Sequence, residues 1–424
     1  MDSSGPRTSF IVRAALAAAV GVVPAVARIL VPMDHVQTDH LKAYGIVYRA
    51  LQGGARVDWK LNYRGGSFVM SRTPEHLLDA RTQGVLVSDL SPSGYEALRL
   101  VVQENNMESV TLEKAPTIAV YTPPDIPPWG DAVTLALTYA GIPFEKVYDD
   151  EVLRGALRDF DWLHLHHEDF TGQYSKFHRA FSTAPWYQRQ RMQMEQIARE
   201  NGFAKVSDLK AAVALAIRAY VMDGGFLFAM CSATNTLDIA LAAAGTDIVH
   251  EVYDGDGIDP QWRSKLDFDN CLAFEHFHIE TDPYAGNHCT IDVEQVNTAH
   301  RTDALDFVLF DFSAKLDPVP TMLTQSHERT IRGFHGLLTS FNRDVIKRSV
   351  VVLGDTPGTN RVKYLHGVAG KGQFAFLGGH DPEDYTHAVG DEPTMLELHR
   401  NSSGYRLILN NVLFPAAEKK ERKT

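Results

Sequence analysis

The chain has 424 residues, of which 44% are hydrophobic and 22% are charged, and this is the composition of a folded globular protein. Its 41 Lys and Arg against 53 Asp and Glu give a net charge of −12, which argues against a nucleic acid or an anionic membrane as the main partner. No apolar run reaches the ~18–20 residues of a spanning helix, so we do not expect an integral membrane protein. The length predicts two or three domains, or one α/β domain with large insertions.

The N-terminus has the pattern of an export signal. Residues 11–27 read IVRAALAAAVGVVPAVA, with Arg7 and Arg13 near the front and a small-x-small ending at Ala25 to Ala27. We therefore expect residues 1–27 to be a signal peptide and the mature protein to be periplasmic or extracellular; a buried N-terminal helix is the alternative. Three cysteines are too few for a disulfide scaffold, although Cys271 and Cys289 could pair and leave Cys231 free.

The next part of the chain alternates short apolar strands with helices. Residues 29–62 and 117–150 are each predicted as strand, helix and strand, and further helices are expected at 174–201, from Ser207 and at 403–412. This order predicts an α/β fold with a flavodoxin-like, doubly wound parallel sheet and an α+β insertion. The predicted units are a signal peptide (1–27), an N-terminal α/β unit (28–116), a core (117–244 and 346–415), an insertion or lid (245–345) and a charged tail (416–424).

Cys231 stands where the apolar strand GGFLFAM runs into a predicted helix. Ala229 and Ala233 flank it at the spacing of a nucleophile elbow, where small residues are needed because the backbone is strained and closely packed. The helix N-terminus would favour the thiolate form. A buried Cys that only fills the strand end is the alternative.

A second candidate follows the strand GQFAFL, in the sequence Gly378-Gly379-His380-Asp381-Pro382-Glu383. A His at a strand end with a carboxylate three residues later can supply a general base and its orienting partner. Asp-Pro is also ordinary turn chemistry.

These motifs, with the ending GYRLILNNVLF, resemble the ThuA-like branch of the class I glutamine amidotransferase-like superfamily. That branch usually carries His at the elbow, whereas this chain has Cys231, as the amidotransferases proper do; their later strand end carries His-Pro-Glu, here interrupted by Asp381. The resemblance implies a catalytic triad of Cys231, His380 and Glu383 that acts on C–N bonds of amides.

The chain is also similar to exported bacterial proteins that often carry the label asparagine synthetase B. That activity needs an N-terminal nucleophilic Cys and a Ser-Gly-Gly-x-Asp-Ser loop for ATP. Position 2 is Asp2, and Arg64 to Ser67 lacks the remaining residues of the loop. We therefore do not expect asparagine synthesis.

A third group is His164-Leu-His166-His167-Glu168-Asp169. The residues from His166 onward fall at a strand end, where ligands bind in open α/β sheets, so we expect them to contact substrate, together with Ser232 and Trp129. Metal binding is one alternative, with His166, His167, His380 and Asp381 as the predicted set for Zn²⁺ or another transition metal, and a purely structural role of the histidines is the other.

The insertion offers weaker candidates. The loop from Asp254 to Asp259 resembles a Ca²⁺ loop, but Lys265 stands where the last carboxylate is needed, so a solvated turn is favoured. Phe274, His276 and His278 are expected on one face of a lid strand.

The favoured function is an exported thiol hydrolase or amidase that needs no cofactor and acts on a small-molecule, peptide or sugar-derived amide. Backbone N–H groups near Ser232 and in the 166–169 loop are expected to hold the oxyanion. A metal-dependent hydrolase and a carbohydrate- or peptide-binding protein are the alternatives, and homo-oligomerisation is left open.

Overall fold

The protein is described by a computed structural model that covers Met1 and residues 27–123, 131–293, 306–334, 336, 338–383 and 392–418. The predicted signal peptide, apart from Met1 and Ala27, and the predicted substrate contact Trp129 lie outside the described residues. Among the helices of the described chain, none is long and apolar enough to cross a membrane.

The chain has a mixed α/β fold, as the sequence predicts, and its strands form two sheets. The first sheet has the order β4-β1-β3-β2-β5 and is antiparallel throughout. Its strands are β1 (Arg28–Val31), β2 (Val57–Leu61), β3 (Ser67–Ser71), β4 (Ser88–Leu90) and β5 (Glu108–Leu112).

The strand, helix and strand predicted at 29–62 are formed, but β1 and β2 are not neighbours in a parallel sheet, because β3 lies between them and pairs antiparallel with both. A tight turn sends the chain straight back from β2 into β3. In that turn Asn62, Arg64, Gly65 and Gly66 all have positive φ, and a Cβ on Gly65 would lie 2.3 Å from the carbonyl oxygen of Met33.

The second sheet has the order β11-β10-β13-β14-β15-β9-β8-β6-β7, with β12 paired to β14. Five neighbouring strands are parallel: β6 (Ile118–Tyr121), β7 (Glu145–Val147), β8 (Trp162–Leu165), β9 (Phe226–Met230) and β15 (Gly372–Leu377). The other strands are antiparallel: β10 (Phe307–Leu309), β11 (Thr330–Ile331), β12 (Phe341–Asn342), β13 (Val351–Asp355) and β14 (Arg361–Ala369).

Helices cover both faces of this sheet. The core between the two sheets contains α1 (His40–Gln52), α4 (Ala132–Ala140) and α13 (Ser403–Leu413), and a second core on the other face contains α8 (Val206–Asp223) and α9 (Ser232–Ala242). The remaining helices are α2 (Pro74–Gln83), α3 (Pro92–Glu104), α5 (Asp149–Leu153), α6 (His178–Phe181), α7 (Pro185–Glu200), α10 (Glu251–Asp254), α11 (Trp262–Lys265) and α12 (Pro318–Leu323).

The single helix predicted at 174–201 is interrupted. α6 ends at Phe181 and α7 begins at Pro185, because proline fits the first turn of a helix but disfavours helical backbone in the residue before it. Ala184 is extended accordingly, with φ of −71° and ψ of 131°.

The predicted insertion extends the sheet, since its residues 307–309 and 330–331 form β10 and β11. The lid strand expected at 274–278 is not formed: His276 has a φ of 57°, and Phe274 is buried while His276 and His278 are exposed. All three cysteines are free, so the suggested Cys271–Cys289 disulfide is absent.

Candidate active site

Cys231 lies on a strained turn between β9 and α9. Its φ of 50° and ψ of −137° are rare for a residue with a side chain, and its backbone N–H donates to the carbonyl of Leu377 at the end of β15. Ala229 and Ala233 are both fully buried against this turn. The geometry is that of a nucleophile elbow, with the residue held by two neighbouring parallel strands.

His380 reaches the same point from the end of β15. The turn before it consists of Gly378 and Gly379, and a Cβ on Gly379 would lie 2.1 Å from the carbonyl oxygen of Phe334. Glycine is therefore required for the chain to pass this close. The His380 ring forms a hydrogen bond with the Cys231 thiol, and its Nδ1 is 2.7 Å from Oδ2 of Asp381.

The three side chains polarise one another. Burial alone would raise the pKa of the Cys231 thiol, but the charge of and hydrogen bond from His380 bring it below its ordinary value. Burial alone would lower the pKa of His380, but the Asp381 carboxylate and the Cys231 thiolate raise it well above. The two opposite shifts favour transfer of the thiol proton to the imidazole, which gives a thiolate–imidazolium pair.

The carboxylate beside His380 belongs to Asp381 and not to the predicted Glu383. Glu383 has its Oε2 3.4 Å from Nδ1 of His399. The residue between His380 and Pro382 explains the difference: it shifts the glutamate one position further along the turn and places a carboxylate next to the histidine.

The four residues of the predicted 166–169 segment have two roles: His166 and His167 lie beside His380, whereas Glu168 and Asp169 hold the backbone of the segment. The His166 ring centroid is 4.6 Å from that of His380, and the exposed His167 ring is 5.8 Å from it. Glu168 Oε2 accepts from the backbone N–H of His166 at 2.9 Å, and burial raises the pKa of Glu168 to about 7. Because this N–H is already bonded, it does not serve the predicted oxyanion site.

Asp169, also predicted as a substrate contact, is engaged in shaping the loop. Its Oδ1 accepts from the backbone and hydroxyl of Thr171 at 2.7 and 2.6 Å, and its Oδ2 accepts from the N–H of Ser175 at 2.7 Å. The Ser232 hydroxyl similarly donates to the carbonyl of His167 at 2.9 Å. Both side chains tie the 166–169 loop in place.

The C-terminal part of the predicted insertion covers the thiol. The backbone N–H of Leu338 donates to Cys231 Sγ at 3.4 Å, and that of Gly379 donates to the carbonyl of Leu338 at 2.7 Å. A Cβ on Gly336 would lie 2.9 Å from Cys231 Sγ and 2.8 Å from Cδ2 of His380. Cys231 is consequently 0% exposed.

A second group of polar residues lies next to His380 and includes His166. Asp131, His164 and His166 are all buried, and they are the kinds of residue that can hold a metal ion. This group shares only His166 with the predicted metal set. His380 of that set faces both Asp381 and Cys231, so the four predicted residues do not form a single ligand cage.

Sequence reasoning missed Asp131, Gly336 and Leu338. Asp131 carries the signal of a helix N-cap, and its side chain indeed accepts from the N–H of Val133 at 2.8 Å. A carboxylate just before an apolar helix could have been placed at the strand ends on that ground. Gly336 and Leu338 lie in a loop with no chemical pattern to mark it.

A large groove lies at the other end of the parallel strands. Its volume is about 1130 Å³, and Asp161, Gly225 and Gly372, at the amino ends of β8, β9 and β15, line it. In open α/β sheets ligands bind at the carboxyl ends of the strands, so we assign the site to the elbow and not to the groove.

Comparison with known proteins gives no family for the chain. No protein-family model matches it, and no curated protein matches its sequence. Two cytoplasmic proteins of Salmonella typhimurium align with 72% and 71% of this chain and 100% of their own lengths, at TM-scores of 0.34 and 0.35 and identities of 10% and 12%. A GH42 β-galactosidase aligns with 65% of this chain and 29% of its own, at a TM-score of 0.28 and 11% identity. Structural similarity this low carries no argument about function.

Proposed function

We propose that the chain is an exported cysteine hydrolase of the amidotransferase-like superfamily, in its ThuA-like branch, acting on a small amide, peptide or sugar-derived amide. One observation carries the proposal: a thiol on a strained strand-to-helix elbow is hydrogen-bonded to a histidine whose other ring nitrogen faces a carboxylate. These three residues, Cys231, His380 and Asp381, have the relative positions of a nucleophile, a base and an orienting group.

The strand order supports the superfamily assignment. Numbered in chain order, the parallel strands β6, β7, β8, β9 and β15 follow the sequence 2-1-3-4-5 across the sheet, which is the order of flavodoxin-like folds. Cys231 follows the fourth of these strands and His380 the fifth. Adjacent parallel strands deliver both side chains to the same edge without any further rearrangement.

The reaction that this geometry supports is acyl transfer to sulfur followed by hydrolysis. The Cys231 thiolate attacks the amide carbonyl, and the imidazolium of His380 gives its proton to the departing nitrogen as the C–N bond breaks. A water molecule then attacks the thioester and gives a proton to neutral His380. Collapse of the tetrahedral intermediate breaks the C–S bond and releases the acid, and because the proton taken from water stays on His380, the thiolate–imidazolium pair is regenerated.

Two backbone donors already point at the sulfur and are the candidates for holding the oxyanion. They are the N–H of Ser232, at the start of α9, and the N–H of Leu338 in the covering segment. The residue after the nucleophile supplies such a donor in other elbow enzymes. The exposed His167, beside His380, is the proposed contact for the part of the substrate outside the dyad.

The test is turnover and covalent capture on a panel of small primary and secondary amides. The wild-type protein should release amine from at least one class and should show an acyl mass increase on the peptide that contains Cys231. Cys289→Ser is the matched control, because Cys289 is also buried and free. Turnover that persists in Cys231→Ser would contradict the proposal.

One observation favours a second candidate, a carbohydrate- or peptide-binding protein without catalysis. Cys231 is completely buried beneath the segment that contains Gly336 and Leu338. If that segment never leaves the thiol, no substrate can reach it. An alkylation rate of native Cys231 no greater than that of Cys289 would support this candidate.

A further inference from the structure

The group formed by Asp131, His164 and His166 is not used by the proposed reaction. Oδ2 of Asp131 is 3.1 Å from Nε2 of His164, and its Oδ1 is 3.3 Å from Nδ1 of His166. The three residues are 6%, 0% and 4% exposed, so water does not solvate their polar atoms freely. A carboxylate and two imidazoles held this closely in the interior require a proton or a cation among them.

His164 has an orientation that leaves a lone pair facing the carboxylate. Its Nδ1 is 3.1 Å from the backbone carbonyl oxygen of Phe228, which can only accept, so Nδ1 carries the hydrogen. In the neutral ring Nε2 is then a bare acceptor directed at Asp131. Two acceptors at 3.1 Å repel each other unless a positive charge lies between them. A ring nitrogen fixed in this way by a backbone carbonyl is also the usual outer partner of a metal-bound histidine.

His166 supplies an independent observation. Neither of its two buried ring nitrogens makes a hydrogen bond of good geometry with a residue that the structure describes, and Nδ1, the nitrogen on the side of the carboxylate, is 3.3 Å from Oδ1 of Asp131. Buried polar atoms are nearly always satisfied, so an unsatisfied imidazole beside a carboxylate indicates that a ligand completes the group.

We propose that Asp131, His164 and His166 bind one transition-metal dication, Zn²⁺ being the chemical type that the ligands fit. Two imidazoles and one carboxylate are common zinc ligands, and three protein ligands leave a fourth position for water or substrate. Tetrahedral coordination with bonds of about 2.0–2.1 Å separates neighbouring ligand atoms by about 3.3 Å. One carboxylate oxygen has this spacing to both histidines, because Oδ1 of Asp131 is 3.3 Å from Nε2 of His164 and 3.3 Å from Nδ1 of His166.

The fold places these ligands at a suitable point. His164 and His166 are two residues apart at the end of β8 and so lie on the same side of the strand, and Asp131 caps α4 next to it. The His166 ring is 4.6 Å from that of His380, which puts the metal group beside the dyad. The metal proposal does not depend on Cys231 being a nucleophile.

A second group of acidic residues in the described chain contains possible metal ligands, but a lysine already neutralises it. Asp247, Asp254 and Asp256 also lie close together, but Nζ of Lys205 is 2.7, 3.4 and 2.5 Å from their oxygens. The lysine already supplies the positive charge. This group therefore provides the matched negative control.

The experiment uses full-length protein stripped with a chelator and then titrated with Zn²⁺ in competition with a chromophoric chelator, and with Co²⁺ as a spectroscopic probe. We expect one ion per chain and a Co²⁺ absorption spectrum typical of nitrogen and oxygen ligands in a four- or five-coordinate site. Binding no tighter than that of Asp131→Asn would overturn the proposal and leave a protonated histidine as the cation.

Four variants separate the outcomes. Asp131→Asn keeps the helix cap, because Asn caps as well as Asp, and should weaken Zn²⁺ binding by at least 100-fold. His166→Gln should do the same, and Asp247→Asn should leave binding unchanged; thermal unfolding of the metal-free proteins verifies that each variant folds. Cys231→Ser should bind Zn²⁺ as the wild type does. Loss of binding in that variant alone would assign the ion to the thiolate and overturn the three-ligand site, whereas loss of turnover with intact binding would leave both proposals standing.

Discussion

The cysteine at the start of α9 and the two cysteines packed in the core around this helix have pKa shifts of opposite direction. Cys231 precedes the helix, and Cys271 and Cys289 pack in the core that covers it; all three are free and at most 5% exposed. Burial raises the pKa of Cys289 to about 12 and raises that of Cys271 further, whereas the pKa of Cys231 is lowered. Burial is common to the three, so it is the cation at His380 that distinguishes the reactive thiol.

The largest effect that this difference predicts is on turnover. Cys231→Ser should reduce the hydrolysis of a responsive amide by about 10⁴-fold or more, because the nucleophile itself is removed. Cys289→Ser should retain wild-type turnover. Amine release should be measured on both variants. Equal losses of turnover in the two variants would mean that the two thiols do not differ in function.

The next effect concerns the carboxylate that orients the base. Asp381→Asn should reduce kcat on the order of 10³-fold, since His380 loses both its orientation and the charge that stabilises its imidazolium. Glu383→Gln should have little effect, because its carboxylate faces His399. The reverse result in steady-state kinetics would restore Glu383 as the third member.

The pH dependence of alkylation is a third test of the same contrast. In the wild type, the midpoint of the alkylation rate at Cys231 should lie below about 8.5, the pKa of a free thiol, because His380 lowers the pKa of the Cys231 thiol. In His380→Asn the cation is absent and burial dominates, so the midpoint should move above that value. Mass spectrometry of the Cys231 peptide follows the rate, and a midpoint unchanged by the substitution would remove His380 as the cause.

A smaller effect is expected on the stability of the fold, from a buried group that has a raised pKa, as Cys271 and Cys289 do. Asp238, on α9, accepts N–H groups from Leu272, Ala273 and Phe274 at 2.8–2.9 Å, yet burial raises its pKa from 3.8 to about 6. The folded state therefore favours the protonated acid, and stability is lost as the pH rises from about 4 to 6. Relative to Asp238→Asn, the wild type should lose about 3 kcal/mol of unfolding free energy across that range. Urea denaturation at pH 4 and pH 7 measures the difference, and equal changes in the two proteins would contradict it.

Much of the fold and part of the site follow from local sequence. Alternating strands and helices predict the parallel half of the second sheet, and an apolar strand that ends at Cys231 next to a predicted helix predicts the elbow. The N-terminal sheet could not be predicted in the same way. Its antiparallel pairing depends on where β3 inserts, which is a tertiary contact that periodicity does not encode.

The site residues that follow the ends of strands could be predicted from the sequence, and the other site residues could not. Cys231, His166 and His380 all follow parallel strands, so their convergence is a consequence of topology. The choice between Asp381 and Glu383 depends on the course of a single turn. The covering segment comes from more than 100 residues beyond the elbow along the chain, as the Leu338–Cys231 contact shows, and no local pattern predicts such a contact.

The missing side chain at Gly336 has a kinetic consequence. A single added carbon there would lie within 3 Å of both the sulfur and the imidazole, so the space above them in this state is smaller than a methyl group. Because Cys231 is 0% exposed, we expect an electrophile to reach its sulfur only when Gly336 moves away from it. Inactivation rates should level off at high reagent concentration at one common ceiling, which would be the opening rate of the protein and not a property of the reagent.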